Sequence, residues 1–584
     1  MTIEQKLSHY INKAGELTGK TFEKKIRIGI LCSFTINGLE ESIRVKSAEK
    51  NIDCITYVGG YNQYNQEILN QESNLYKFSP DITFLIIDTR NILGDLFHLP
   101  YSISALERKS FIEKKLKEIQ NLANTFTSRT KSKLVIANFD IPTHSSHGIF
   151  ETKTEYGFYK MIENLNHGLV NAFVNSDSIY VYDFNGFVSR YGEDNIFDYK
   201  QFLFGDMKIS LDYIPYLAND LMGFIIGHLG LSKKCIVLDL DNTLWGGIVG
   251  EDGFNGIQLG PEPPGNAYLE FQRILLSLYQ RGIILAINSK NNYDDAMKVI
   301  KEHPYMVLRE ENFASIRINW NDKVSNMKEI IHELNIGADS VVFFDDDPVN
   351  REYMRLNIPQ ILTINLPQDP SQYAQTIKKM NEFSVMHITD EDAQRGRMYL
   401  EQRKRNDLEQ SAPDLESFLK HLDLKILIKS ANEFTISRIS QLTLKTNQFN
   451  LTTKRYQEPD IKKFSEDDKY LVGCAQVEDK FGDSGITGVF IVYKENPKEW
   501  LIDTFLLSCR VMGKEVEKGI LGHIISKAKE NGVELIKSQF IPSQKNKPIE
   551  NFLPSCGFHK DGNYWVYSLK SQFIIPDYLT IRVE

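Results

Sequence analysis

Cysteine is scarce and unpatterned in this 584-residue sequence: Cys32, Cys54, Cys235, Cys474, Cys509 and Cys556 form no CxxC pair and no regular spacing. That excludes a disulfide scaffold and a cysteine-based zinc module, and points to a reducing compartment. Basic charge is not in excess either, since 68 Lys and Arg stand against 77 Asp and Glu for a net charge of -9. A general nucleic-acid binder is therefore not expected. Long apolar runs are missing. The most apolar stretch, 213 to 231, is interrupted by Asn219 and Asp220 and reads as a helix packed on a domain, not a membrane span. Residues Met1 to Leu7 lack a basic segment followed by an apolar core, so no secretory leader is expected and the cytoplasm is the default location. Internal repeats and low-complexity tracts are absent. With 42% hydrophobic and 25% charged residues, the composition is that of an ordinary globular protein. The length implies three or four domains at about 100 to 200 residues each.

What is present begins at Val237-Leu238-Asp239-Leu240-Asp241-Asn242-Thr243-Leu244-Trp245-Gly246-Gly247, an apolar run ending in two carboxylates one residue apart and then a turn. Residues Cys235 to Leu240 read as a buried strand, because short apolar runs bounded by turn signals are typical of parallel sheets. In open α/β sheets, reactive groups collect at the carboxyl ends of the strands. A period of two puts Asp239 and Asp241 on one side, where both could approach one metal ion or one phosphorus. One carboxylate can attack phosphorus while the other exchanges a proton with the leaving group and later with water.

Three further segments continue the pattern. Ile283 to Asn291 is a second apolar strand with Ser289 at its mouth, a hydroxyl able to donate to a phosphoryl oxygen. Asn319-Trp320-Asn321-Asp322-Lys323 precedes an amphipathic helix and offers a cation that could neutralise both nucleophile and phosphate. Ser340 to Phe344 leads into Asp345-Asp346-Asp347, and carboxylates so close are costly unless a divalent cation or nearby bases compensate. Magnesium fits, being a hard ion that takes oxygen ligands and keeps waters for a phosphate to replace.

The order acid pair, hydroxyl, lysine, acid pair resembles the haloacid dehalogenase (HAD) superfamily of phosphatases and phosphotransferases. The finer match, Asp239 to Gly247 with Gly250-Glu251-Asp252-Gly253, Ser289-Lys290-Asn291-Asn292, Asn319-Trp320, and Asp345-Asp346 before Pro348 and Arg351-Glu352, is similar to the FkbH-like branch. The resemblance implies Asp239 as nucleophile, Asp241 as general acid/base, and Ser289 and Lys323 as holders of the phosphoryl group. It implies a magnesium site of Asp239, Asp241 (through its backbone carbonyl), Asp345 and Asp346.

The flanks extend the resemblance. Residues 1 to 231 alternate apolar strands, Ile26 to Cys32, Ile82 to Asp88, Lys133 to Asn138 and Ile179 to Asp183, with helices, and Ile214 to His228 is a further helix. This region resembles the SGNH-hydrolase-like domain of longer FkbH-like proteins. Ser33 stands where such a hydrolase carries its nucleophile, yet Asp206-Met207-Lys208-Ile209 lacks the expected histidine, so the domain reads as non-catalytic. His144 and His147 are the candidates to replace it. The HAD core is expected over 232 to 388. A charged helical connector follows over 389 to 423, opened by Thr389-Asp390-Glu391-Asp392, with Ser411-Ala412-Pro413-Asp414 capping its last helix.

Residues 424 to 584 resemble a GNAT-type acyltransferase domain, on segments 441 to 452, 481 to 485 and 508 to 515. In that fold a loop of pattern Arg/Gln-x-x-Gly-x-Gly/Ala holds the coenzyme A pyrophosphate. Arg510 and Gly513 match and would be the cofactor-binding residues, but Glu515 puts a negative charge beside the pyrophosphate. A phosphopantetheine arm on a carrier protein would suffer less. Lys445, Lys454 and Arg455 could receive an acidic carrier protein or a phosphorylated substrate, and Cys509, read within an apolar strand, could relay an acyl group or simply pack.

The fold class expected is thus multidomain α/β, with a central Rossmann-like core flanked by an α/β and an α+β domain. Two functions follow. The first is a magnesium-dependent FkbH-like enzyme that dephosphorylates a phosphoglyceryl or similar small unit and delivers it to an acyl carrier protein. The second is a plain phosphatase on a small phosphorylated metabolite or sugar, its flanks serving recognition. Family members often carry Cys before the motif-two serine, where this chain has Asn288. Neither a nucleic acid nor a membrane is an expected partner.

Overall fold

The computed structural model describes residues 5–389, 392, 395, 398, 399, 401, 405 and 414–584. Most of the expected connector, 389 to 423, lies outside the described residues. The chain divides into two compact units, Met1–Ile225 and Ile226–Glu584. Among the described residues no helix is long and apolar enough to cross a membrane.

The first unit is built on strands β1 (Lys24–Cys32), β2 (Ile52–Val58), β3 (Ile82–Ile86), β4 (Lys133–Ala137) and β5 (Ile179–Tyr182), in the order β2-β1-β3-β4-β5. All neighbours are parallel. Helices must cover both faces of such a sheet, because each parallel connection crosses over. Leu31, Leu85, Leu134 and Ile136 pack on the helices Ala105–Arg129 and Phe158–Phe173. Ser104 and Glu107 start the first of these with a capping box. β2 escaped the sequence reading because Asp53, Thr56 and Tyr57 break its apolar run at a sheet edge.

The second unit opens with β6 (Cys235–Leu238), β7 (Ile284–Ser289), β8 (Phe313–Ile318), β9 (Val341–Phe344) and β10 (Leu362–Thr363), a parallel sheet in the order β10-β9-β6-β7-β8. Alternate residues of one strand enter different cores. Ile236, Leu238, Leu285, Ile287, Val342 and Phe344 pack on one face with Phe271 and Leu275 of the helix Gly265–Gln280. Cys235, Val237, Ile284, Ala286, Val341 and Phe343 pack on the other with Met327 and Ile330 of the helix Lys323–Glu333. Burial on both faces is why these strands read as continuous apolar runs. β6 lies in the middle, with connections leaving it in both directions, and the carboxyl end of such a strand opens into a crevice.

The remainder forms a mixed sheet of nine strands: β11 (Leu424–Ser430), β12 (Phe449–Asn450), β13 (Tyr470–Asp479), β14 (Gly482–Asn496), β15 (Glu499–Leu507), β16 (Leu535–Ser538), β17 (His559–Asp561), β18 (Tyr564–Ser568) and β19 (Leu579–Val583). The main path runs β17-β18-β16-β15-β14-β13-β11-β19, with β12 paired to β15. Ala475, Val477, Phe490 and Val492 face the helix Val516–Glu530 through Ile520 and Ile524. Val472, Cys474, Val489 and Ile491 pack with Ile439, Leu442 and Ile461 from the helices Ile436–Lys445 and Glu458–Ser465.

Candidate active site

β6 ends at Leu238, two residues earlier than its apolar run suggests, because Asp239 and Asp241 are followed by a turn in which Asn242 has φ +54°. Asn242 Oδ1 accepts from Gly247 N–H at 2.9 Å, folding the loop back on itself. Gly247 has φ +89°, and a Cβ there would lie 2.5 Å from Asp252 Oδ2, so the second glycine of the motif is required by the turn. Asp239 N–H donates to Phe344 O at 3.0 Å, tying the end of β6 to the end of β9. Leu238 pairs with Phe344 and with Ile287, so Asp239 emerges beside Asp345 on one side and beside the end of β7, with Ser289, on the other. Ser289 is the last residue of β7 and is buried.

Lys323 arrives from below this edge. Asp322 caps the helix by accepting from Val324 N–H and Ser325 N–H, so Lys323 is fixed as the first helical residue. Its carbonyl accepts from Asn288 Nδ2 at 2.8 Å. Its ammonium reaches Asp239 Oδ2 at 2.8 Å and Asp345 Oδ2 at 2.6 Å, with all three side chains buried. Burial by itself would discharge the ammonium, but Asp239 and Asp345 outweigh it and raise its pKa.

Asp239, Asp345 and Asp346 place carboxylate oxygens within 4.8 Å of one another. Burial, then the charge of Asp239, pushes Asp345 upward and brings Asp346 to about 6. Three carboxylates around one ammonium leave two formal negative charges, which is what one divalent cation neutralises. Asp239 Oδ1 is buried without a hydrogen-bond partner, an oxygen that such a cation or a phosphorus would occupy. Asp345, Asp346 and Asp239 therefore fit magnesium. Asp347 does not join them: it caps the helix Pro348–Asn357 through Val349 N–H.

The Asp241 side chain is not in this cluster. Once the chain leaves the strand, period-two alternation no longer applies, and the Asp241 carboxylate turns to Trp245 Nε1 at 2.8 Å, Val249 N–H at 3.1 Å and Asn291 Nδ2 at 2.8 Å. Burial raises its pKa against these three donors. Trp245 and Asn291 stood in the quoted motifs without a role. So did Arg351, whose guanidinium donates to the carbonyls of Asp345 and Asp346, each at 2.7 Å, and shapes the acidic loop.

A family model described as "FkbH, N-terminal domain" matches residues 27–226. The N-terminal part of the protein BF1531 from Bacteroides fragilis, whose crystal structure contains a phosphatase domain complexed with Mg, is 27% identical to this chain. That similarity covers 66% of this chain and all of that one, with a TM-score of 0.61. This is a phosphatase or phosphotransferase core of the HAD type. An acetyltransferase of the GNAT family from Staphylococcus aureus also resembles part of the chain, at 16% identity, over 25% of this chain and 99% of that one, but with a TM-score of only 0.21. A putative acetyltransferase of the same family from Desulfovibrio desulfuricans gives 8% and 0.20 over the same share of each chain. No curated protein matches.

Outside the HAD core, the expected residues are placed differently. Ser33 lies in a cavity with Tyr61, Asp88, Arg90 and Asp206, and its Oγ accepts from Asp88 N–H at 2.8 Å. His144 is exposed, and His147 is stacked on Tyr101 with ring centroids 3.5 Å apart and its Nδ1 at 2.7 Å from Thr154 Oγ1. Neither lines the Ser33 cavity. Lys208 is buried and bonded to Asp88 and, at 2.8 Å, to Asp140; burial lowers its pKa, but the two carboxylates hold it above the usual value, so it is no base. Arg510 is largely buried and donates to Ser484 O at 2.8 Å, while Gly513 is exposed with φ +80°. Glu515 has φ +58° and bonds Lys518 Nζ at 2.5 Å and the Tyr578 hydroxyl, so its carboxylate sits at the start of the helix Val516–Glu530. Cys509 falls not in a strand but in the turn Cys509–Val511 after β15. Lys454 is bonded to Asp503, and Arg455 to the carbonyls of Thr443 and Thr446, so both serve the fold.

Replacing Lys208 with Met leaves two buried carboxylates facing each other and is expected to destabilise the first unit by about 3 to 5 kcal/mol, measured by thermal or urea unfolding. Ser33→Ala is expected to leave any ester hydrolysis by the purified protein unchanged. In the second unit, magnesium at about 100 times its Kd should add about 2.7 kcal/mol of stability. Asp346→Asn should lose that response in calorimetry while, in chelator, being at least as stable as the parent, because it removes a repulsive carboxylate.

Proposed function

We propose that the second unit transfers phosphoryl groups from a small phosphorylated substrate through an aspartyl-phosphate on Asp239. The observation that carries this reading is the buried, partnerless Asp239 Oδ1 at the end of the central strand, whose other oxygen is held by Lys323. Asp239 attacks phosphorus, and the new O–P bond forms as the ester oxygen departs. Asp241, as general acid, gives that oxygen its proton. The ionised Asp241 then takes a proton from water, which attacks the aspartyl-phosphate, frees inorganic phosphate and restores Asp239. Lys323 and Ser289 hold phosphoryl oxygens in the interval. Magnesium bound by Asp239, Asp345, Asp346 and the Asp241 carbonyl would screen the charge that gathers on these oxygens. Asp239→Asn is expected to lower magnesium-dependent phosphate release at least about a thousandfold without unfolding the protein. A folded Asp239→Asn protein that keeps most of its activity would overturn the assignment.

For the full chain we propose that the dephosphorylated unit is a glyceryl or similar three-carbon group delivered to the phosphopantetheine arm of an acyl carrier protein, with the first unit an inactive SGNH-like module and the last sheet a GNAT-like one. The short connection after the nucleophile supports a substrate carried on a protein: between β6 and the helix Gly265–Gln280 the chain forms only the short helix Val249–Asp252. The plain phosphatase reading is favoured by one observation. Asn288 is fully buried and fastened to the Lys323 carbonyl, so position 288 positions the lysine helix and offers no thiol for an acyl relay. Incubating the protein with magnesium, 1,3-bisphosphoglycerate and a cognate carrier, then weighing the carrier, separates the two. A glyceryl adduct is the result expected for delivery, and phosphate release without an adduct on any cognate carrier leaves the phosphatase.

A further inference from the structure

Three residues that the sequence singled out separately, Lys445, Cys509 and Arg510, line one cavity of about 520 Å3 within the second unit. Its walls come from the end of the helix Ile436–Lys445, from the segment after β15, and from the amino-terminal edge of the HAD sheet at Lys234. Asn335 Nδ2 donates to Cys509 O at 2.9 Å and joins the two sides. Asp239 is five residues beyond Lys234 along β6, about 16 Å at strand rise, so the cavity lies at the opposite edge of the sheet from the active site.

The charge of this cavity is one-sided. Lys234, Arg395, Arg438, Lys445, Arg510 and Lys545 line it, against a single carboxylate, Asp339, among the described lining residues. Asp339 is engaged by Lys545 at 2.5 Å. Lys234 Nζ reaches only a backbone carbonyl, that of Lys445, at 3.4 Å. Burial pushes the Lys445 ammonium well below its usual pKa, and the charges that act on it most, Arg395, Lys234, Arg438 and Arg281, are all cationic. Arg395 and Arg438 are paired with the buried carboxylate of Asp392, which leaves Lys234 and Lys445 as the charges that an anion would stabilise. Gln448, also on the wall, has a buried Oε1 with no donor, a further polar group left for a ligand. The volume is that of a small-molecule site.

We propose that this cavity is a second anion site, one that binds the phosphate group of a small phosphate ester independently of Asp239 and of magnesium. Lys445 and Lys234 are its recognition groups, with Arg438 and Arg510 fixing its floor through their bonds to the Ile486 and Ser484 carbonyls. Cys509 reports on occupancy, because it is the only one of the six cysteines that is not buried.

The test uses the full chain in chelator, with neutral iodoacetamide as the label and peptide mass spectrometry to follow Cys509. With pyrophosphate as probe at about ten times its Kd, labelling of Cys509 should slow about tenfold, while sodium chloride of equal ionic strength has little effect. Lys445→Gln should raise the protecting concentration about tenfold. Lys545→Gln, at the exposed rim, gives a second variant in case the first fails to fold, and should raise that concentration severalfold. Protection should persist in Asp239→Asn, which separates this site from the catalytic one. Glycerol phosphate and S-methyl phosphopantetheine, whose capped sulfur cannot consume the label, distinguish a metabolite from a pantetheine arm, and protection by either supports the site. Equal labelling in pyrophosphate and in sodium chloride, or protection unchanged in both lysine variants, would overturn it.

Discussion

Lys323 holds Asp239 and Asp345 on a single ammonium at 2.8 and 2.6 Å, with Asp346 close enough to complete a cluster spanning 4.8 Å. Each pair of carboxylates at that separation repels by about 3 kcal/mol in a medium of effective dielectric about 20. A buried group of this kind is tolerated only where the surroundings fix it. Here the fixing is done by the backbone: Asp322 caps the lysine helix, Asn288 grips the Lys323 carbonyl, and Arg351 draws together the carbonyls of Asp345 and Asp346. The site is preorganised, and the two negative charges it leaves uncompensated are what a divalent cation would neutralise, allowing an anionic phosphate to approach.

The fold supplies that arrangement with few residues. β6 sits between β7 and β9, and its four residues alternate between two helix-covered cores, so it cannot slide without moving apolar side chains into the wrong layer. The registers Leu238 to Phe344 and Leu238 to Ile287 then determine which residues meet at its end. Asp239, Ser289 and Asp345 come from strands that are neighbours in space though about 50 residues or more apart in sequence, the usual spacing of crossover units. Nothing in the chemistry requires long-range motion for these groups to meet.

The parallel core and its acid pair were legible in the sequence because two-sided burial writes itself as unbroken apolar runs and because the reactive residues follow those runs directly. The Ile214–His228 helix appears over the expected span for a similar reason, its apolar content being unusually dense. The Asp241 carboxylate was misplaced by the same logic that located it, since alternation holds only while the chain is extended, and it stops at Leu238. Asp347 follows two expected metal ligands in the sequence but spends its oxygen on a helix cap. Asp88, Asp140 and Lys208 left no trace, because their three-way ion pair is assembled from segments far apart and none is part of a local pattern. The cationic cavity was invisible for the same reason, although Lys445 and Cys509 were each conspicuous alone.

A covalent phosphoenzyme is the central claim, and rapid acid quench tests it most directly. The protein is mixed with magnesium and a turned-over phosphate ester, stopped within the first turnover, digested, and the peptide containing Asp239 is weighed. A phosphoryl adduct on Asp239, removed by hydroxylamine and formed before free phosphate appears, is the result this account predicts. Phosphate release at the full rate with no adduct at Asp239, or with the adduct on another residue, would contradict it.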